Sequence, residues 1–191
     1  MPAPNIKQIV QSKVNELLLL KDRKLPVEVG VKVTNSILNN FRKGSFYGQP
    51  WEQPLRSKIG FDGPNHGPLT SGSNHLMLSS DYMPLPGRVI IQNRLVYASV
   101  HNYGAEITVT QKMKGYFWSR YINAGGYNHG NMSKEAEFWR NMAIKKVGST
   151  IKIPQRQFMG DHPKVDKLGE DIIIKNLTKV ATDGINTRRS H

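Results

Sequence analysis

The 191-residue chain contains no cysteine, which excludes disulfides, thiolate metal sites and cysteine nucleophiles together. The fold has to stand on packing alone. Acidic residues are scarce, with 14 Asp and Glu against 27 Lys and Arg. A two-metal nuclease needs clustered carboxylates, and the nearest pairs here, Glu135/Glu137 and Glu170/Asp171, fall on expected solvated helix faces. The six histidines (His66, His75, His101, His129, His162, His191) are dispersed, none pairing with another at i+2, i+3 or i+4, so a histidine metal site is disfavoured. There is no Walker pattern, and Gly125-Gly126 precedes no strand-to-helix turn of the kind that cradles phosphate. No apolar run approaches the roughly 18 residues that span a bilayer, the longest near the start being Leu17 to Leu20. The first residues also lack a signal-peptide hydrophobic core. These absences lead to the expectation of a chain without enzymatic activity, cofactor or membrane association, made and used on the cytosolic side.

What is present is an ordinary globular composition, 38 % hydrophobic with 17 glycines, in a length that fits a single domain spanning 1–191. The formal net charge of +13 gives the surface a positive field, whose natural counterpart is a polyanion or an acidic partner.

Asn5 is placed to cap a helix whose residues Ile6, Ile9, Val10, Val14, Leu17 and Leu18 keep the spacing of one buried stripe. Lys21 to Lys24 breaks that pattern, and Pro26 suits the first turn of a second helix. Val27, Val29, Val31 and Val33 alternate as an edge strand would, but Ile37, Leu38 and Phe41 continue a helical face up to Gly44. Helix is therefore the reading for 27–41, with the strand as its alternative. Helices occupy 5–43 on this reading and a long irregular loop follows over 44–75. Short runs at Leu76 to Met83, Arg88 to Asn93 and Glu106 to Thr110, with Pro84 to Gly87 as a turn, suggest an antiparallel meander. Val96 to Gly104 reads as two helical turns with a glycine stop. Thr150 to Ile153 returns to the sheet, which thus draws on 76–110 and 149–160, and Pro163 opens a last helix over 163–181. A frayed tail is expected from Asp183 to His191. The fold class is α+β: a small antiparallel sheet with helices packed on one face, plus a projecting insertion over 111–148.

That insertion holds Tyr116, Phe117, Trp118 and Tyr121, a Gly/Asn-rich tip from Asn123 to Asn131, and a helix opened by Ser133. Between Lys112 and Arg156 nine basic residues face only Glu135 and Glu137. Lysines interleaved with rings can bind nucleic acid, neutralising phosphates and stacking bases; the same rings can anchor a protein interface. The interface is preferred, with Tyr116, Phe117, Trp118, Tyr121 and Arg156 as its candidates, and with Lys112, Lys114, Arg120, Lys145 and Lys146 as contacts to DNA or an acidic partner. Pro154 holds the backbone rigid before Arg156, which would present a fork to a carboxylate or phosphate, or else cover apolar surface with its stem. Tyr97 and His101 lie four apart, share a helix face and read as structural, although His101 has the chemistry of a general base.

Read in order, Asn40-Phe41, Gly48-Gln49-Pro50-Trp51 with Leu55, Leu69 to Leu76 with Ser79-Ser80, Tyr97 to Gly104, and Ile153 to Gly160 resemble the phage virion morphogenesis family, the tail-completion proteins of Mu-like tailed phages. The resemblance runs from about Val27 to Asp161. Its most specific parts are the tyrosine-alanine-x-x-histidine-x-x-glycine and isoleucine-proline-x-arginine-x-phenylalanine-x-glycine stretches. Gln157 stands where family members commonly have a second proline, and Ser71 to Leu76 departs from their threonine-glycine-leucine. The resemblance implies a non-enzymatic neck component at the head–tail junction, found in the virion and in the host cytoplasm during assembly. It further implies a closed homo-oligomeric ring, a hexamer, in contact with tail-terminator or connector proteins and with DNA passing through the channel. The alternative from another class is a basic, sequence-non-specific nucleic-acid-binding protein.

Overall fold

The computed structural model describes residues 5–58, 60, 67–127 and 132–186. His66, His129 and His191, the tip of the insertion beyond Tyr127 and the tail beyond Asn186 lie outside the described residues. The fold is α+β, with helices predominating and strands arranged as three separate two-stranded antiparallel ladders. Within the span read above as one domain, contacts divide the chain into two compact units. The first gathers residues from 5–39, 78–94 and 160–186; the second is built from 40–77 and 95–159.

In the first unit, α1 (Ile6–Leu19) begins with a capping box: Asn5 Oδ1 accepts from Lys7 N at 3.3 Å and Asn5 N donates to Gln8 Oε1 at 3.2 Å. Its apolar stripe is not buried as expected. None of its 14 residues is buried, and Ile6 is 77 % exposed; burial begins only at Leu20. The expected break at 21–24 is instead a π-helical turn, Leu20–Lys24, which runs on into α2 (Leu25–Lys43). Pro26 cannot donate to the carbonyl four residues back and its ring crowds that carbonyl, and the wider i→i+5 turn relieves both constraints. Helix, not strand, holds over 27–34. Val33 and Ile37 of α2 are buried, as is Ile172 of α8 (Pro163–Asn186). Asn176 Nδ2 of α8 donates to Glu28 Oε2 at 2.8 Å.

The same unit holds the hairpin of β3 (Ser80–Leu85) and β4 (Arg88–Asn93), paired from Ser80↔Asn93 to Leu85↔Arg88. Its turn is only Pro86-Gly87. Residues 76–78, expected as strand, belong to the helical turn α4 (His75–Leu78), counted with the second unit as far as Met77. At Gly30 in α2 an added Cβ would lie 2.2 Å from Tyr82 Cδ2 of β3, so helix and hairpin approach more closely there than any side chain allows.

The second unit takes the end of α2. The stretch 44–75 is not uniformly irregular: β1 (Ser45–Phe46) and β2 (Gln49–Pro50) form a minimal ladder, and α3 (Leu55–Lys58) and α4 are single helical turns. The expected meander is not formed. The strand β5 (Ala105–Thr108), which follows α5 (Ala98–Tyr103), pairs with β6 (Thr150–Ile153), from Ala105↔Ile153 to Thr108↔Thr150. The chain between them forms two helices, α6 (Gln111–Asn123) and α7 (Lys134–Ala143), capped by Thr110 and Ser133.

Candidate functional site

Several stretches singled out in the sequence meet in the second unit. Phe41 packs its ring against Trp51 (centroids 5.5 Å) and Phe158 (5.0 Å), and Trp51 Nε1 donates to Gln157 O at 2.7 Å. Asn40 Oδ1 accepts from Tyr47 N at 3.1 Å, holding the β1–β2 turn in which Tyr47 has φ 49°. The stretches 97–104 and 153–159 interlock. Asn102, 3 % exposed, accepts on Oδ1 from Phe158 N (2.9 Å) and Met159 N (3.1 Å), while its carbonyl accepts from Gln155 Nε2 at 3.1 Å. Arg156 N donates to His101 O at 2.8 Å. Gly104 ends α5 at φ 75°, and a Cβ there would sit 3.0 Å from Gln155 N and 3.1 Å from Ile153 O; both the conformation and the space require glycine. Sequence reasoning passed over Asn102. A short amide inside a helical turn followed by Gly was its one signal.

Arg156 is not a surface fork. It is 5 % exposed and its Nε donates to Glu52 O at 2.7 Å, because the strand before it and the rigid Pro154 turn the side chain inward. Burial holds its guanidinium below its ordinary pKa, with Glu52 opposing that shift and Arg56 adding to it. Glu52 itself sits below the usual carboxylate range, mainly through its hydrogen bond with Lys58 at 2.7 Å. Burial also lowers the pKa of His101, and the positive charges of Arg156 and Arg56 lower it further. His101 meets the ring of Tyr97 edge-on (6.1 Å), and both border a cavity of about 390 Å³ that Arg156 also lines.

The aromatic segment forms a second site. It is helical: α6 packs on α7 through Phe117, which is 6 % exposed and stacks on Trp139 at 6.2 Å and 28°. Phe117 is therefore a packing residue of the helix pair, since position 117 faces α7; the Tyr116 ring also meets Trp139 edge-on at 5.9 Å but stays largely exposed. Tyr116 and Trp118 are exposed, and Tyr121 is half-buried with its hydroxyl donating to Gly126 O. Arg120 is engaged within the pair, Nη2 lying 3.2 Å from Glu135 Oε1 and the guanidinium 5.2 Å above the Trp139 ring. Lys112 and Lys146 are exposed, Lys114 and Lys145 half-buried. Arg156 and the aromatic residues are thus not brought together into one surface patch.

Among the described residues no group of three or more His, Asp and Glu is placed to hold a metal ion, and no helix is long and apolar enough to cross a membrane. No family model matches the chain, and neither a curated protein nor a solved structure is significantly similar to it.

Proposed function

We propose that the chain is a non-catalytic building block of a tailed bacteriophage virion that acts in the neck, at the junction of head and tail, during assembly. The observation that carries this reading is convergence. Of the stretches on which the family resemblance rests, Asn40-Phe41, Gly48 to Trp51 with Leu55, Leu69 to Leu76, Tyr97 to Gly104 and Ile153 to Met159 fall in one compact unit, while Ser79-Ser80 and Gly160 belong to the other. Several contact one another directly through Phe41, Trp51, Asn102 and Phe158.

In this reading copies join head to tail in a closed ring, a hexamer, and exposed rings at Tyr116 and Trp118 supply the contacts that association must bury. The charge of +13 on each copy steers acidic neck proteins and retains DNA in the channel. The test is particle imaging of the purified protein, alone and co-expressed with portal and tail-tube proteins. Rings, or co-purification with either partner, are expected. Tyr116→Ala with Trp118→Ala should abolish both while leaving the melting temperature within a few degrees. A chain that stays monomeric and captures neither partner overturns the proposal.

The second reading, a nucleic-acid-binding protein without a virion role, is favoured by one observation: exposed Lys112 and Tyr116 stand one turn apart on α6. Tight, salt-sensitive DNA binding by a monomer that never assembles would support it.

A further inference from the structure

The cavity beside the interlocked stretches has walls of two kinds. Pro54, Leu55, Leu69 and Phe138 present apolar surface; Arg56, His101 and Arg156 bring positive charge or the capacity for it, and Thr70, Ser71 and Ser73 bring hydroxyls. None of the described residues that line it is acidic. Arg156 is 5 % exposed, its Nε is taken by Glu52 O, and among the described residues no group accepts from its two terminal nitrogens. His101 Nδ1 is buried and also lacks a hydrogen-bond partner. A group entering the cavity can therefore take up donors of Arg156 that the chain leaves unused, while His101 Nδ1 is a buried polar atom without a partner on a residue of the same cavity.

We propose that this cavity binds a phosphate group carried on a small, partly apolar molecule, a nucleoside monophosphate being the class that fits. Charge selects phosphate over carboxylate: Arg56 and Arg156 both line the cavity, no described lining residue is acidic, and a phosphate monoester brings nearly twice the charge of a carboxylate. Thr70 Oγ1 already accepts from Gly67 N at 2.6 Å, which leaves its O–H to donate. Ser71 Oγ and Ser73 Oγ lie 3.3 Å apart, so one can donate to the other and the remaining O–H is available. The two terminal nitrogens of Arg156 and these hydroxyls supply charged and neutral donors on the lining of one cavity. The three terminal oxygens and near-double charge of a phosphate monoester can use them. A cavity of about 390 Å³ holds more than the anion, and Tyr97 and Phe138 offer rings against which a base can stack. The proposal rests on this geometry and stands or falls independently of the virion reading.

An anion in the cavity would offset the charges of Arg56 and Arg156, which together with burial hold the His101 pKa down; His75, which also lines the cavity, is the other titratable imidazole there. The experiment is a titration of histidine-labelled protein with uridine monophosphate, inorganic phosphate and, as the carboxylate control, acetate, following the His101 ring resonances. Uridine monophosphate should bind most tightly and acetate least, and the His101 pKa should rise on binding. Arg156→Lys should weaken uridine monophosphate binding on the order of tenfold, by loss of a charge-assisted pair of donors. If that variant does not fold, Ser71→Ala with Ser73→Ala, both at exposed positions, should weaken binding severalfold without loss of structure. Acetate binding as tightly as the phosphates, no response of His101 to millimolar ligand, or folded variants with undiminished affinity would each overturn the proposal.

Discussion

Asn102 shows how one small side chain can hold two distant stretches of chain together. Its Oδ1 is the acceptor for two backbone donors, Phe158 N and Met159 N, and both Asn102 and Phe158 are buried. Asn102→Ala therefore removes one side chain and strands two N–H groups, which should lower unfolding free energy by about 2–4 kcal/mol in urea denaturation. A loss under about 0.5 kcal/mol would mean that the two donors find water instead. His101 yields a prediction of a different kind. Its folded-state pKa lies below the ordinary value of 6.5 because burial, Arg156 and Arg56 disfavour the charged ring. Between the folded value and 6.5 the unfolded chain binds more protons, so stability rises with pH across that window. The contribution is complete above 6.5, is lost as pH falls below it, and stops changing once pH drops under the folded value. His101→Gln should remove this component, so the stability of the wild-type protein should fall relative to that of the variant as pH drops through the window. Parallel pH profiles for the two proteins would place the ring in solvent.

At the scale of elements, Gly30 sets two effects against each other. In an exposed helix, Gly→Ala would add roughly 1 kcal/mol of stability through propensity. Here the new methyl would stand 2.2 Å from a Tyr82 ring carbon, and overpacking of that kind costs about 1–3 kcal/mol or more. The clash should win, so Gly30→Ala is expected to lower the melting temperature, and a rise would show that Tyr82 swings aside freely. The same contrast between local and long-range causes decides what could be read from the sequence. α1, α7 and α8 were legible because caps and proline are local: Asn5, Ser133 and Pro163 each sit where the helix starts. Over 27–41 the helical spacing of Ile37, Leu38 and Phe41 outweighs the alternating valines, and the segment is helical. Strand pairing was not legible. β5 finds β6 across the entire insertion, a choice made by tertiary contact and not by the four residues of either strand. The helix α6 was hidden by Gly115 and by consecutive aromatics, which carry weak helix propensity; packing of Phe117 on Trp139 supplies what propensity does not. The burial of Arg156 had no sequence signal, since an arginine after a proline reads the same facing inward or out.

For the whole molecule the surplus of basic residues is the dominant fact, and it specifies attraction without specifying a base sequence. A net charge of +13 over 191 residues with exposed Lys112 and Lys146 should hold double-stranded DNA by displacing counterions. If about six phosphates are contacted, affinity should fall on the order of a thousandfold between about 50 and 200 mM salt, independently of sequence. Exposure decides which residues are expected to carry it. Arg120 is engaged with Glu135 and Trp139, and Arg156 is buried, so neither is placed to meet phosphate on the surface. Lys112→Glu with Lys146→Glu should therefore reduce the slope of log affinity against log salt by about 2, whereas Arg120→Gln should leave the slope nearly unchanged. Binding that persists at high salt, or that ranks DNA sequences, would require base contacts and would contradict the electrostatic account. Magnesium or manganese should leave the DNA intact. Reproducible cleavage abolished by replacing a single Asp, Glu or His would make the chain a nuclease and would overturn the structural role proposed for it.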